Sequence, residues 1–208
     1  MKTPLHYQTS EYDCGPTTLM NAMMFLFERE QIKPEIVRNI MLYCLDAFGS
    51  DGRSGTMGTS NMAMMFLSNW LTGYGQAGHL PISSTYLYGP EVNFSQDSLV
   101  RDALARGGCA VLRLDLEGWH YVLLTGIEDN KVRVFDCYYL PELPDVVDPR
   151  AQMVSDHPTE YNRIIDADLL DEKIIKPYSM GPVEKRECVL LFNEKTELTA
   201  EKTIEYFI

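Results

Sequence analysis

Cys14, His120, Asp136 and Gln8 are the residues whose types and settings point to chemistry. Cys14 lies in Asp13-Cys14-Gly15-Pro16-Thr17-Thr18-Leu19, at the mouth of a strongly apolar segment. Pro16 suits a first helical turn because it lacks the N–H that would go unbonded there, and Asp13 can cap that turn. The thiol therefore stands at a helix N-terminus, where free N–H groups and the positive end of the dipole favour the nucleophilic thiolate. Gly15 keeps side-chain bulk away from the sulfur. The side-chain amide of Gln8, six residues upstream, can join the Cys14 backbone N–H in holding a developing oxyanion. A free cysteine is more often buried filler, but a base and an acid downstream favour the nucleophile here.

Those partners sit on Trp119 to Ile127 and Lys131 to Asp136, two runs rich in Val, Leu, Tyr and Phe that read as strands. Glu128-Asp129-Asn130 is polar turn material between them. His120 and Asp136 each lie eight residues from Glu128, so an odd-length loop centred on Glu128 sets them face to face. Directly opposed residues have Cβ atoms about 4.5–5.5 Å apart, close enough for the carboxylate to accept from the imidazole. One residue of slip would put them on opposite faces. Oriented in this way, the ring keeps its other nitrogen for a thiol, giving the nucleophile, base and orienter of covalent catalysis.

Gln8, the Cys14 motif, Trp119-His120-Tyr121-Val122 and Asp136 resemble the papain-like cysteine peptidases, within them the branch related to bacteriocin-leader (double-glycine) peptidases. The resemblance implies a papain-like α+β fold, with a buried N-terminal helix carrying the cysteine packed on an antiparallel sheet carrying His and Asp. It implies Cys14 as nucleophile, His120 as general base, Asp136 as orienter and Gln8 as oxyanion donor. The helix of Asp97 to Arg106, Gly107-Gly108 and the strand Cys109 to Leu116 also look like the segment preceding the histidine strand in that family. Members often carry proline immediately after the aspartate, where this chain has Cys137. The chain carries no transporter region, so a role in leader cleavage coupled to export does not carry over.

At 208 residues and 45% hydrophobic content, the chain suits one domain over 1–208, with 138–187 as an insertion or extended loop. No apolar run reaches transmembrane length, and the short N-terminal lead lacks the apolar segment of a secretion signal. A formal charge of −12 and a pI near 4.7 argue against nucleic acid and acidic membranes as partners. Acidity could draw in a basic peptide or amine substrate, though a solvated surface is its commoner meaning. Five cysteines without close paired spacings argue against a disulfide framework and for the cytoplasm. Cys44, Cys109, Cys137 and Cys188 read as structural. Without C-x-x-C or H-E-x-x-H, no metal or organic cofactor is implied.

The first helix, to about Glu30, is apolar on nearly every side and must be buried all round. A second is predicted over Pro34 to Leu45 and a third over Asn61 to Leu71, capped by Thr59 or Ser60, with Met62, Met64, Met65, Phe66 and Leu67 as core. Between them Phe48 to Gly58 is a glycine-rich loop, a plain connection or an edge of the cleft. A short strand is expected around Ser84 to Leu87, and Tyr86, Tyr88 and Phe94 are wall or surface packing. Residues 141–182 offer no regular element before about Asp166 and read as a surface excursion that covers or extends the cleft. The chain then rejoins the sheet at Glu187 to Asn193, and Thr199 to Ile208 reads as a terminal helix. The function expected is cysteine-dependent hydrolysis of an amide, most simply peptide, bond through an acyl-enzyme. The alternatives are acyl transfer or deamidation through the same thioester, and an inactive interaction module that keeps the fold.

Overall fold

Cys14–Leu26 forms α1 in the computed structural model, which describes residues 1–199. The expected terminal helix lies outside the described residues. Leu19, Ala22 and Met23 of α1 are fully buried, as apolar residues on all sides require. The helix stops before Glu30 because Phe27 turns extended, after which Arg29–Gln31 make a short 3-10 turn. α2 (Pro34–Cys44) turns Ile36, Ile40 and Cys44 inward.

α3 (Asn61–Gln76) is capped by Ser60, whose Oγ accepts from the Ala63 N–H at 3.1 Å. It runs past the predicted end at Leu71, through Gly73 and Gly75. Gly75 lets the chain of Ile82 approach, since a Cβ there would run into the Ile82 carbonyl oxygen. Met64 and Leu67 are core, but Met62 and Phe66 face outward at 62% and 45% exposure. The apolar run is thus wider than the face it buries, and Phe66 instead packs edge-on against Tyr43 at the surface.

The sheet comprises β1 (Ile82–Tyr88), β2 (Cys109–Asp115), β3 (Trp119–Glu128), β4 (Lys131–Phe135), β5 (Ala151–Met153), β6 (Arg163–Asp166) and β7 (Glu187–Asn193). Its order is β1-β7-β2-β3-β4-β6-β5, with antiparallel neighbours throughout. α1, α2 and α3 share a core with Val111, Tyr121, Leu123, Val189 and Leu191 on one face. α4 (Leu99–Ala105) and α5 (Ala167–Leu170) pack with Leu112, Val122, Leu124 and Leu190 on the other. The protein is therefore α+β, built on an antiparallel sheet.

Two expectations fail here. Residues 141–182 are not free of regular structure before Asp166, because β6 pairs with β4 and β5 pairs with β6. Strands of three and four residues among prolines carry too little alternation to read locally, and the open edge of β4 is what recruits them. The β3–β4 connection is also not an odd loop around Glu128. Glu128 pairs with Lys131, leaving a two-residue turn of Asp129 and Asn130 at φ 45° and 64°. Asp and Asn tolerate this left-handed geometry, which a tight hairpin needs at both central positions.

Candidate active site

Cys14 is the first residue of α1 and is 7% exposed. Asp13 precedes the helix but does not cap it with its side chain. Its carboxylate instead accepts from the backbone N–H groups of Thr9 and Ser10 at 2.9 and 2.6 Å and from the Ser10 hydroxyl at 2.6 Å. Burial opposes the charge, yet these bonds outweigh it and hold the Asp13 carboxyl below its usual range. The effect is to tie the loop after Gln8 to the start of α1. Gly15 serves neighbouring chain more than the sulfur: a Cβ there would strike the Thr59 side chain. The glycine-rich loop thus ends against the start of α1, and none of Phe48 to Gly58 lines the cleft beside Cys14.

His120 and Asp136 meet at Nε2···Oδ1 2.8 Å, buried to 6% and 0% exposure. Burial disfavours the imidazolium, but the charge and hydrogen bond of Asp136 prevail and raise the affinity of the ring for its proton well above the ordinary histidine value. Burial likewise opposes the Asp136 carboxylate, and His120 prevails in holding it below the usual range. With Nε2 committed to Asp136, Nδ1 is left for other partners, and Cys14 lines the same cleft as the ring.

The two residues share a face because of a bulge. Near the turn Gly126 opposes Arg133, but Leu124 opposes Val134, so Thr125 is an extra residue on β3. A two-residue turn alone would put His120 and Asp136 on opposite faces, and the bulge reverses that parity.

Asp136 is held by residues that the sequence did not point out. The Tyr178 hydroxyl donates to Oδ2 at 2.8 Å, and the Tyr138 N–H donates to Oδ1 at 2.9 Å. Asn162 clamps the Asp136 backbone from both sides: its Oδ1 accepts from the N–H and its Nδ2 donates to the carbonyl, each at 2.8 Å. Arg163, 1% exposed, donates to the Asn162 carbonyl and the Tyr178 hydroxyl. Asn162, Arg163 and Tyr178 belong to the stretch read as a surface excursion. An Asn-Arg pair and a Tyr in a polar, proline-rich segment carry no periodicity that would have singled them out.

Gln8, Cys14 and His120 open onto one cleft of about 310 Å³. Its walls include Leu116, Trp119, Tyr138, Leu140, Pro144, Val146, Val147 and Pro177, with Glu11 and Glu117 also on its lining. Tyr86 and Phe94, offered as a wall, sit elsewhere: Tyr86 donates to Glu187, and Phe94 is buried in the second core. Cys137 is wholly buried in the core shared with α1, and its sulfur lies 3.3 Å from Gln8 Oε1. His120, Asp136 and Cys137 bring three possible metal-ligand atoms within 4.8 Å. Nε2 and Oδ1 already bond each other, and the thiol already has Gln8.

In overall form the chain is similar to solved peptidase domains. The peptidase domain of Streptococcus mutans ComA matches at 11% identity and a TM-score of 0.39, over 91% of this chain and 98% of that one. A double-glycine motif protease from an AMS/PCAT transporter, solved in complex with the leader peptide, matches at 12% identity and a TM-score of 0.40, over 90% and 89%. No protein-family model and no curated protein matches the sequence. Among the described residues no helix is long and apolar enough to cross a membrane. The five cysteines are free and buried.

Proposed function

We propose that this protein is a cysteine-dependent hydrolase of amide bonds, acting on a peptide through a Cys14-His120-Asp136 triad on a papain-like scaffold that works as one domain. The observation that carries this reading is a buried imidazole with one ring nitrogen engaged by Asp136 at 2.8 Å, lining the same cleft as Cys14. In the first half of the reaction the Cys14 thiol passes its proton to His120 Nδ1 and Sγ attacks the carbonyl carbon, the S–C bond forming as the C=O π pair moves onto oxygen. The oxyanion takes hydrogen bonds from the Cys14 N–H and the Gln8 side-chain amide. His120 gives its Nδ1 proton to the leaving amine as the C–N bond breaks. Water then loses a proton to His120 and attacks the thioester, the S–C bond breaks, and the acid product leaves. Asp136 holds Nε2 throughout, so the ring swings neither away from the thiol nor into the wrong tautomer. These steps call for no metal or organic cofactor.

The cleft suggests the form of the peptide. Leu140, Pro144, Val146 and Val147, from the segment after Asp136, offer apolar surface to a substrate side chain, and Glu11 and Glu117 favour a basic residue nearby. Five free thiols suit a reducing compartment such as the cytoplasm.

Incubating wild type and Cys14→Ala with a diverse peptide mixture, with and without a small amine, tests the proposal by product mass. Cuts made only by wild type support it, and amine-capped products would turn the reading toward acyl transfer. Identical products from both proteins would overturn it.

A further inference from the structure

We infer that Cys137 is a positioning residue for the oxyanion site, its thiol aiming the side-chain amide of Gln8 at the cleft. This rests on the hydrolase reading for its consequence, but the geometry stands apart from turnover. Gln8 is docked on Cys137 twice. The Gln8 backbone N–H donates to the Cys137 carbonyl at 2.8 Å, and the Cys137 S–H faces Gln8 Oε1 at 3.3 Å. The other end of the amide is fixed too, since Gln8 Nε2 donates to the Ser10 carbonyl at 2.7 Å. Turning the amide over would set Oε1 against the Ser10 carbonyl, so that contact fixes the orientation, and Gln8 Oε1 is then a nearer acceptor for the Cys137 thiol than the Cys14 and Tyr121 carbonyls at 3.8 Å. The second Nε2 hydrogen is left for the cleft that Gln8 and Cys14 line together. An oxyanion donor works by being aimed before charge develops, so that no reorganisation falls in the transition state.

The thiol is suited to donating. Thr18 Oγ1, 3.4 Å from the sulfur, has its own acceptor in the Tyr121 carbonyl at 3.0 Å. Cys137 is wholly enclosed, and burial, partly offset by His120, keeps the thiol in its protonated form to higher pH than usual.

Cys137→Ala removes the side-chain contact and keeps the backbone one, while Cys137→Ser restores a donor. Side-chain amide NMR of nitrogen-labelled protein reads the result without turnover. In wild type and Cys137→Ser, nitrogen relaxation of the Gln8 NH₂ group should give a high order parameter, and in Cys137→Ala that order should be lost. With a cleaved peptide, Cys137→Ala should lower the acylation rate about three- to tenfold at unchanged KM, the worth of one neutral hydrogen bond. Cys137→Ser should recover it, and Cys137→Ala should cost nothing further once Gln8 is Ala. A Gln8 amide equally ordered in Cys137→Ala, or effects of the Gln8 and Cys137 changes that simply multiply, would overturn the inference. Loss of order in Cys137→Ala together with no Cys14-dependent cleavage by wild type would uphold the positioning and sink the hydrolase reading instead.

Discussion

His120 and Asp136 stand two residues out of direct opposition across β3 and β4, yet their side chains meet at 2.8 Å. Leu123 opposes Phe135, so the same register carried one step outward sets Asp136 opposite Val122. The contact is a diagonal on one face, reachable by a ring and a carboxylate. That face is shared only because Thr125 is an extra residue.

Deleting Thr125 should therefore separate the pair. With the Asp129-Asn130 turn kept, the strand before the bulge must flip relative to β4 or give up its pairing. Expected are a lower melting temperature and Cys14 alkylation as slow as in His120→Ala. Wild-type alkylation in the deletion variant would show that the bulge does not set the site.

Cys14→Ala should abolish peptide cleavage, by at least about a thousandfold, with stability changed by no more than about 1 kcal/mol for so small a truncation. Asp136→Ala should retain weak activity, because the imidazole loses its orientation and keeps its chemistry. Rates with a cleaved peptide, alongside denaturant unfolding, check both.

The pH dependence follows from the opposed shifts of His120 and Asp136. The His120 proton is held well above the ordinary value of 6.5, so its NMR titration should lie above that value in wild type. In Asp136→Asn burial loses its main opponent, and the ring should titrate well below its wild-type value. A raised histidine pKa contributes stability that is complete below about 6.5 and is lost as pH rises through the folded value. The depressed aspartate contributes stability present above about 3.9 and lost as pH falls through its folded value. The stability gap between wild type and Asp136→Asn should thus be widest between about pH 4 and 6.5 and narrow on both sides. A pH-independent gap would show that the pair is not ionised.

Asn162→Ala leaves the buried N–H and carbonyl of Asp136 without partners, at a cost of about 2–4 kcal/mol in unfolding free energy. Tyr178→Phe removes one donor from the Asp136 carboxylate and should cost about 1–3 kcal/mol, with a smaller loss of activity than Asp136→Ala. Urea unfolding of the two variants measures this. Wild-type stability in Asn162→Ala would mean that the clamp is not needed.

Val146 is 70% exposed and lines the cleft. Val146→Asp should raise KM for peptides bearing an apolar side chain while leaving kcat and Cys14 alkylation unchanged. Removing the whole 141–182 segment would not test the wall, since Asn162, Arg163 and Tyr178 would leave with it.

The sequence by itself carried what is local. Pro16 and the apolar residues after it require a buried helix beginning beside Cys14, and the Val- and Leu-rich runs around His120 require strands. A polar turn between β3 and β4 is written in Glu128-Asp129-Asn130, but its length of two residues, Asp129 and Asn130 at positive φ, was fixed by the pairing of Glu128 with Lys131. Three things were decided only in the folded chain: the bulge at Thr125, the recruitment of β5 and β6 to the open edge of β4, and the convergence of Asn162, Tyr178 and Cys137 on Asp136 and Gln8. A bulge leaves no mark on hydrophobic periodicity, because one unpaired residue changes parity without changing composition. A lone polar side chain gains its role from the buried atom it meets, and that meeting lies across the sheet rather than along the chain.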